Sequence, residues 1–260
     1  MTKIESIKQE PIIKVGIILP EDELTKISIS IPKIDSDNVV SGDIDIKIYE
    51  DKLSLDEKAY EEISLTPDDP DDTLTIKGVP AGRGFHWQKK IYIKVPGVVN
   101  IQNIDGFILL INQLPLEQYI KYVAISEMST ECPPALLEAQ TIAARSWLLA
   151  NRGVNHDSSL FDVCNDDCCQ RYQGITELSD EVESAIHNTY GKVLTYNNDI
   201  CDARYSKCCG GITESFENVW DGEPLSYLSS IVDQEKMVEY PDNVEKFISS
   251  NPKSFCSEHY

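Results

Sequence analysis

One carboxylate stands in line with an apolar stripe. Leu116, Ile120, Val123 and Glu127 are spaced by four, three and four residues, which puts them on one face of a helix from about Leu116 to Glu127. Glu127 would end a buried stripe at the C-terminal end of that helix. Burial penalises the ionised carboxylate, and the negative end of the helix dipole acts in the same direction. A carboxyl that keeps its proton near neutral pH can serve as a general acid. On spacing alone the commoner outcome is that such a group swings into solvent, since most carboxylates of this kind are structural. Glu131 is close in sequence but sits in a polar break, which makes it the poorer candidate.

A second set of residues fits a metal. His156, seven intervening residues, Cys164, four more and then Cys169 give ligand types that zinc accepts. Cys168 is adjacent and could replace Cys169. Thiolates at this density need a partner, and a structural zinc that pins the loop after the second helix supplies one. The chain has eight cysteines. The vicinal pairs Cys168-Cys169 and Cys208-Cys209 fit a disulfide framework poorly and suit thiolate metal or redox chemistry better. Nucleophilic catalysis has weaker support. The four histidines lie in no recognisable nucleophile motif, and there is no G-x-S-x-G. Gly210-Gly211 permits a positive-φ turn and close backbone approach, but lacks the spaced glycines and Lys-Ser/Thr pair of a phosphate loop.

These groups need elements to hold them. A second helix is expected from the Cys132-Pro133-Pro134 break to about Asn151, since proline suits a helix start and Asn151-Arg152-Gly153 supplies the stop. Leu136, Ala139, Gln140, Ala143, Ala144, Trp147 and Leu148 form its apolar, small-residue stripe. Arg145 falls one helical step off that stripe and reads as a solvated cation. Ser179 to Thr189 reads as a short helix ended by Gly191, and Lys192–Tyr196 with Ile200–Ser206 as a hairpin around Asn197-Asn198-Asp199.

Upstream, short Ile/Val-rich runs at Lys14–Leu19, Lys26–Ile31, Ile44–Tyr49, Leu74–Lys77, Ile91–Val95 and Phe107–Asn112 read as strands. Turn residues separate them at Ser41-Gly42-Asp43, Ala81-Gly82-Arg83-Gly84, Pro96-Gly97 and Asp105-Gly106. Ser54 to Ile63 carries a helical period. The fold class is α+β, with residues 1–113 a β-rich region and 114–260 a second domain of helical pair and hairpin.

The net charge of −21 and pI near 4.5 argue against nucleic-acid binding and against adsorption to anionic lipid. They leave room for an anionic glycan, because a local basic groove can override the global field. The acidic run Pro67–Asp72 reads as a solvated loop without calcium-loop spacing. The sequence shows no signal peptide and no membrane-spanning run.

Several blocks occur in a fixed order. They are Pro115-Leu116-Glu117-x-Tyr119, Ser126-Glu127-Met128 and Glu138-Ala139-Gln140-Thr141-Ile142-Ala143-Ala144-Arg145-Ser146, then Phe161-Asp162-Val163-Cys164 with Cys169-Gln170-x-Tyr172-x-Gly174. Gly191–Tyr196, Tyr205-Ser206, Gly210-Gly211-x-Thr213-Glu214-Ser215 and Glu217-Asn218-Val219-Trp220 follow. Over about Leu114 to Asp233 this order resembles the SpoIID/LytB family of stage II sporulation protein D and amidase-enhancer domains. The resemblance implies a peptidoglycan lytic transglycosylase in which Glu127 is the acid/base. It implies a zinc held by His156, Cys164 and Cys169. It implies that Arg145, on the facing helix, orients a substrate carboxylate or buttresses the site, and that Tyr205 and Lys207 contact substrate. The implied partners are peptidoglycan glycan strands and a cell-wall amidase, and the implied location is the cell envelope. A non-catalytic glycan-binding or amidase-enhancer module is the alternative. The family's later Gly-His-Gly-x-Gly segment has no counterpart here, so the core is expected to be truncated at its C-terminal end.

Overall fold

Alternating apolar positions build the first half of the chain. In the computed structural model the described residues are 9–32, 42–67, 69, 72–128, 132–176, 179–234, 242–250 and 253–256. Glu131 and half of the Pro67–Asp72 run, Asp68, Pro70 and Asp71, lie outside them. The chain divides into two compact units, Met1–Cys201 and Asp202–Tyr260, rather than at the expected boundary after Gln113.

The first unit holds two large sheets. One runs in the order β5 (Lys58–Tyr60), β4 (Lys52–Leu55), β3 (Gly42–Tyr49), β2 (Lys26–Ile31), β7 (Leu74–Ala81), β8 (Lys89–Val95), with every neighbouring pair antiparallel. Ile27, Ile29 and Ile31 of β2 point into the core and Ser28 and Ser30 outward, as the alternation requires. The other sheet runs in the order β11 (Val163–Cys164), β1 (Ile12–Ile18), β10 (Phe107–Pro115), β9 (Val98–Ile104), β6 (Glu62–Leu65). β1 pairs antiparallel with β10 and parallel with β11. The region expected to be a separate β domain therefore shares a sheet with the segment that carries the cysteines.

Two expectations are corrected. Ser54–Ile63 is not a helix: it is spread over β4, β5 and β6. The β4–β5 turn places Asp56 and Glu57 at φ 47° and 64°, the left-handed region that a two-residue hairpin demands. The strand Val98–Ile104 was not anticipated; it pairs with β10 through the Asp105-Gly106 turn.

β10 runs straight into the first helix, α1 (Leu116–Glu127), so a central strand sets where that helix begins. The Leu116 amide donates to the Pro11 carbonyl at 3.0 Å, tying the helix start to the chain just before β1. α1 packs against α2 (Pro134–Asn151) and α3 (Asp180–Asn188) around Ala124, Leu137, Val182 and Ala185. Ser179 caps α3, accepting from the Val182 amide. The expected hairpin is confined to β12 (Thr195–Tyr196) and β13 (Asp199–Ile200), joined by Asn197 and Asn198 at positive φ. Among its described residues the second unit carries little regular structure: an isolated bridge between Ile212 and Val232, two short 3-10 turns, and α4 (Val244–Ser249). Among the described residues no helix is long and apolar enough to cross a membrane.

Candidate active site and metal centre

Leu116, Ile120 and Val123 are buried on α1, and Glu127 continues their face at the helix end with its side chain partly exposed. A returning segment holds it there. Glu127 Oε1 accepts from the Arg171 amide at 2.9 Å, and the preceding Ser126 Oγ accepts from the Gln173 amide at 3.1 Å while donating to the Tyr122 carbonyl at 2.7 Å. Two successive side chains of α1 thus dock onto alternate amides of one returning segment, which holds the carboxyl in place.

That segment is anchored by buried side chains. Tyr172 lies between the two docked amides, is fully buried, stacks on Tyr119 at 5.4 Å and donates to Asn112 Oδ1 at 2.8 Å. Gln170 accepts from the Tyr119 hydroxyl and donates to the Ala144 carbonyl of α2. Gly174, at φ 70°, lets the segment turn against Lys94, and the Ile175 amide donates to the Lys94 carbonyl at 2.6 Å. A side chain at 174 would run into the Lys94 carbonyl oxygen. The sequence motif Cys-Gln-x-Tyr-x-Gly is therefore the support of the carboxylate.

Arg145 is corrected. It is neither a solvated cation nor open to substrate: its side chain is 0% exposed. Its guanidinium grips Glu117 with two bonds, Nε to Oε1 at 2.8 Å and Nη2 to Oε2 at 2.6 Å, and donates through Nη1 to the Lys192 carbonyl at 2.9 Å. Glu117 Oε1 also accepts from the Gly191 amide at 3.1 Å. The reason is a rotation of the buried face. Leu137, Thr141, Ala144 and Leu148 face inward, whereas Leu136 and Ala139 are exposed, so Arg145 falls within the packed face rather than beside it. The pair joins α1, α2 and the 191–192 turn, which makes Arg145 a buttress of the helical pair. Glu117 was not recognised in this role; its place in the first turn of α1, where a carboxylate is favoured, was the available signal.

The same end of α1 borders a concavity of about 780 Å³ lined by residues that include Pro115, Glu117, Lys121, Glu183, His187 and Tyr190. Glu127 is not among its lining residues. It sits about 15 Å farther along the helix, from ten residues at a rise of about 1.5 Å. Of the carboxylates lining the concavity, Glu117 is committed to Arg145 and Glu183 pairs with Lys121 at 2.7 Å.

The structure brings His156, Cys164 and Cys169 together, and adds Cys168 to them. One ligand atom from each of the four lies within 4.8 Å of the others. Cys164 is held by the β1–β11 pairing, and His156 packs on Phe161 at 4.9 Å. Cys164 Sγ and Cys168 Sγ are 3.0 Å apart, and His156 Nε2 is 3.7 Å from Cys168 Sγ. The thiol of Cys168 is held down to about 2 by hydrogen bonds from Cys164 and then Cys169, with His156 adding to the effect. Cys164 is pushed up by sharing its hydrogen with Cys168, by its hydrogen bond to Cys169 and by burial, and Cys169 stands at about 11. One His and three Cys converging in this way match the donor set of a closed, tetrahedral zinc site. The loop also braces the β region. Asp166 accepts from the Gly82 and Arg83 amides, and Arg83 donates to Asn165 and to Asp22.

Tyr205 is half-buried and Lys207 exposed, both in the second unit. Neighbouring Arg204 binds Asp202 and lies over the Trp220 ring at 4.7 Å.

Residues 105–196 match the family model described as SpoIID, stage II sporulation protein. This stretch is similar to the SpoIID family. It contains α1, α2, the cysteine loop and α3, and excludes Tyr205 and Lys207. An uncharacterized protein of Brachyspira hyodysenteriae is 33% identical over 123 residues, covering 47% of this chain and 33% of its own. The stage II sporulation protein D of Bacillus subtilis is 28% identical over 174 residues, 62% of this chain and 49% of its own. The amidase enhancer of the same organism is 34% identical over 110 residues, 42% of this chain and 14% of its own. The chain thus spans half or less of the length of these curated relatives. The SpoIID segment coincides with the α1–α2 pair and the returning stretch that holds Glu127.

Proposed function

We propose that this chain cleaves peptidoglycan glycan strands as a lytic transglycosylase, with Glu127 as its one acid/base. The observation that carries the reading is the placement of Glu127. It is the carboxylate that ends the apolar face of α1, partly exposed, with Oε1 fixed by the Arg171 amide, inside the SpoIID segment. In the proposed reaction Glu127 gives its proton to the glycosidic oxygen as the C–O bond to the muramyl sugar breaks. The 6-hydroxyl of that sugar bonds to the anomeric carbon and returns its proton to the Glu127 carboxylate, which leaves a 1,6-anhydro end and a regenerated acid. No water is consumed, so a single carboxyl suffices where hydrolytic glycosidases need a pair.

Zinc belongs to the proposal as a structural ion held by His156, Cys164 and Cys169, with Cys168 the fourth ligand. When bound it supplies cross-linking of the loop and no chemistry on the glycan. Tyr205 and Lys207 are proposed substrate contacts, a cell-wall amidase a proposed partner, and the cell envelope the proposed place of action.

The test is the chemical nature of the product. Peptide-stripped glycan strands treated with the protein should yield fragments with anhydro ends. Reducing ends would make the protein a hydrolase. The similarity to the amidase enhancer favours a second reading, a glycan-binding module without turnover. Retained binding with no cleavage by the wild-type chain would select it.

A further inference from the structure

The second unit gathers its own set of metal-binding side chains, and the reading of Glu127 neither uses nor needs it. Cys209 precedes Gly210 and Gly211, both at positive φ. The chain from Gly211 to Thr213 runs antiparallel to Ile231–Asp233, with the Asp233 amide donating to the Gly211 carbonyl and the Thr213 amide to the Ile231 carbonyl, each at 2.9 Å. The Phe255 amide donates to the Asp233 carbonyl at 3.2 Å, which lays a third segment alongside. Three stretches distant in sequence thus deliver one donor each to the same place. Cys209 Sγ is 3.3 Å from Cys256 Sγ and 3.4 Å from Asp233 Oδ2, and the three ligand atoms lie within 4.8 Å of one another.

We propose that Cys209, Asp233 and Cys256 bind a zinc ion. The spacing is that of a coordination shell. Zn–S near 2.3 Å and Zn–O near 2.0 Å in a tetrahedron give edges of about 3.8 Å between sulfurs and about 3.5 Å between sulfur and oxygen. A disulfide needs its sulfurs about 2.05 Å apart and has no use for a carboxylate. Two thiolates with one carboxylate favour a thiophilic ion such as zinc over magnesium or calcium. On binding, the two thiols release their protons to solvent and the ion takes their place. Cys208 is a neighbouring thiol that could supply a fourth ligand: its Sγ lies 3.9 Å from the Cys256 carbonyl oxygen. Water fills that position otherwise. The ion would clip together three segments that are distant in sequence and, among the described residues, carry little regular structure.

Zinc content of the full chain, loaded with zinc under reducing conditions and desalted, provides the test. Cys256→Ser should hold one equivalent less than wild type, and Cys164→Ser should lose a different equivalent, so that the losses add in the double variant. The decrement, not the total, decides, which keeps this site independent of the His156 cluster. Alkylation of the wild-type chain gives a readout that needs no variant: zinc should protect Cys209 and Cys256 from iodoacetamide, and a chelator should expose both. Unchanged zinc content in a folded Cys256→Ser protein would overturn the proposal. So would equal alkylation with and without zinc, or a Cys209–Cys256 disulfide in the zinc-loaded protein.

Discussion

The two ends of α1 carry a glutamate each and treat it in opposite ways. Glu117 is gripped by a fully buried arginine and a backbone amide. Glu127 is aimed by the amide of Arg171 and keeps part of its side chain in contact with solvent. A carboxylate locked in a bidentate ion pair is held to its cation as part of the fold. One aimed by a backbone amide, with part of its side chain in solvent, is set in direction while staying reachable. The first arrangement holds α1 to α2; the second suits the general acid proposed for Glu127.

The contrast can be broken most severely at the closed end. Arg145→Met should destabilise the protein by about 3–5 kcal/mol, because Glu117 is left as a buried, uncompensated charge. Adding Glu117→Gln to it should recover much of that loss in a denaturant titration. An Arg145→Met protein of unchanged stability would mean that the pair does not join the helices. Metal removal comes next. If zinc at the His156 cluster is present at about 100 times its Kd, stripping it should cost about 2.7 kcal/mol, read as a lower unfolding midpoint with chelator. That loss should be absent in Cys164→Ser, and acid should release the ion as its thiolates protonate.

The open end responds less in stability and more in aim. Gly174→Ala forces a β-carbon into the left-handed region, at about 1–2 kcal/mol, and drives it against the Lys94 carbonyl. Cleavage should fall along with stability, because the segment carrying the Arg171 amide shifts. Ser126→Ala removes the acceptor for the Gln173 amide and the donor to the Tyr122 carbonyl, and should cost about 1 kcal/mol. A loss of stability at Ser126 as large as at Arg145 would erase the distinction between the two ends.

Much of this was legible in the residues. The spacing of Leu116, Ile120, Val123 and Glu127 put Glu127 at the end of the apolar face of α1, where it lies, and His156, Cys164 and Cys169 do converge. Cys168 was named as an alternative ligand because nothing in a one-dimensional spacing says that two adjacent cysteines can both turn toward one point. Arg145 was misplaced because a helical face was drawn through small residues, whereas the chain buries Thr141 and Arg145 by giving them partners from elsewhere. That partnership depends on α1 and on the 191–192 turn, which local pattern does not encode. The Ser54–Ile63 strands were hidden by a hairpin turn of Asp56 and Glu57, which lacks the glycine or asparagine that ordinarily marks one. Val98–Ile104 was hidden because asparagine and glutamine interrupt its apolar run.

The central claim is that Glu127 does chemistry and does not hold the fold. The direct measurement is the rate of fragment release from peptide-stripped glycan strands by wild type and Glu127→Gln, with strand binding and unfolding midpoint taken on the same preparations. The account predicts a rate lower by about 10² to 10⁴-fold, with similar strand affinity and an unaltered midpoint. Full cleavage activity in a folded Glu127→Gln protein would contradict it.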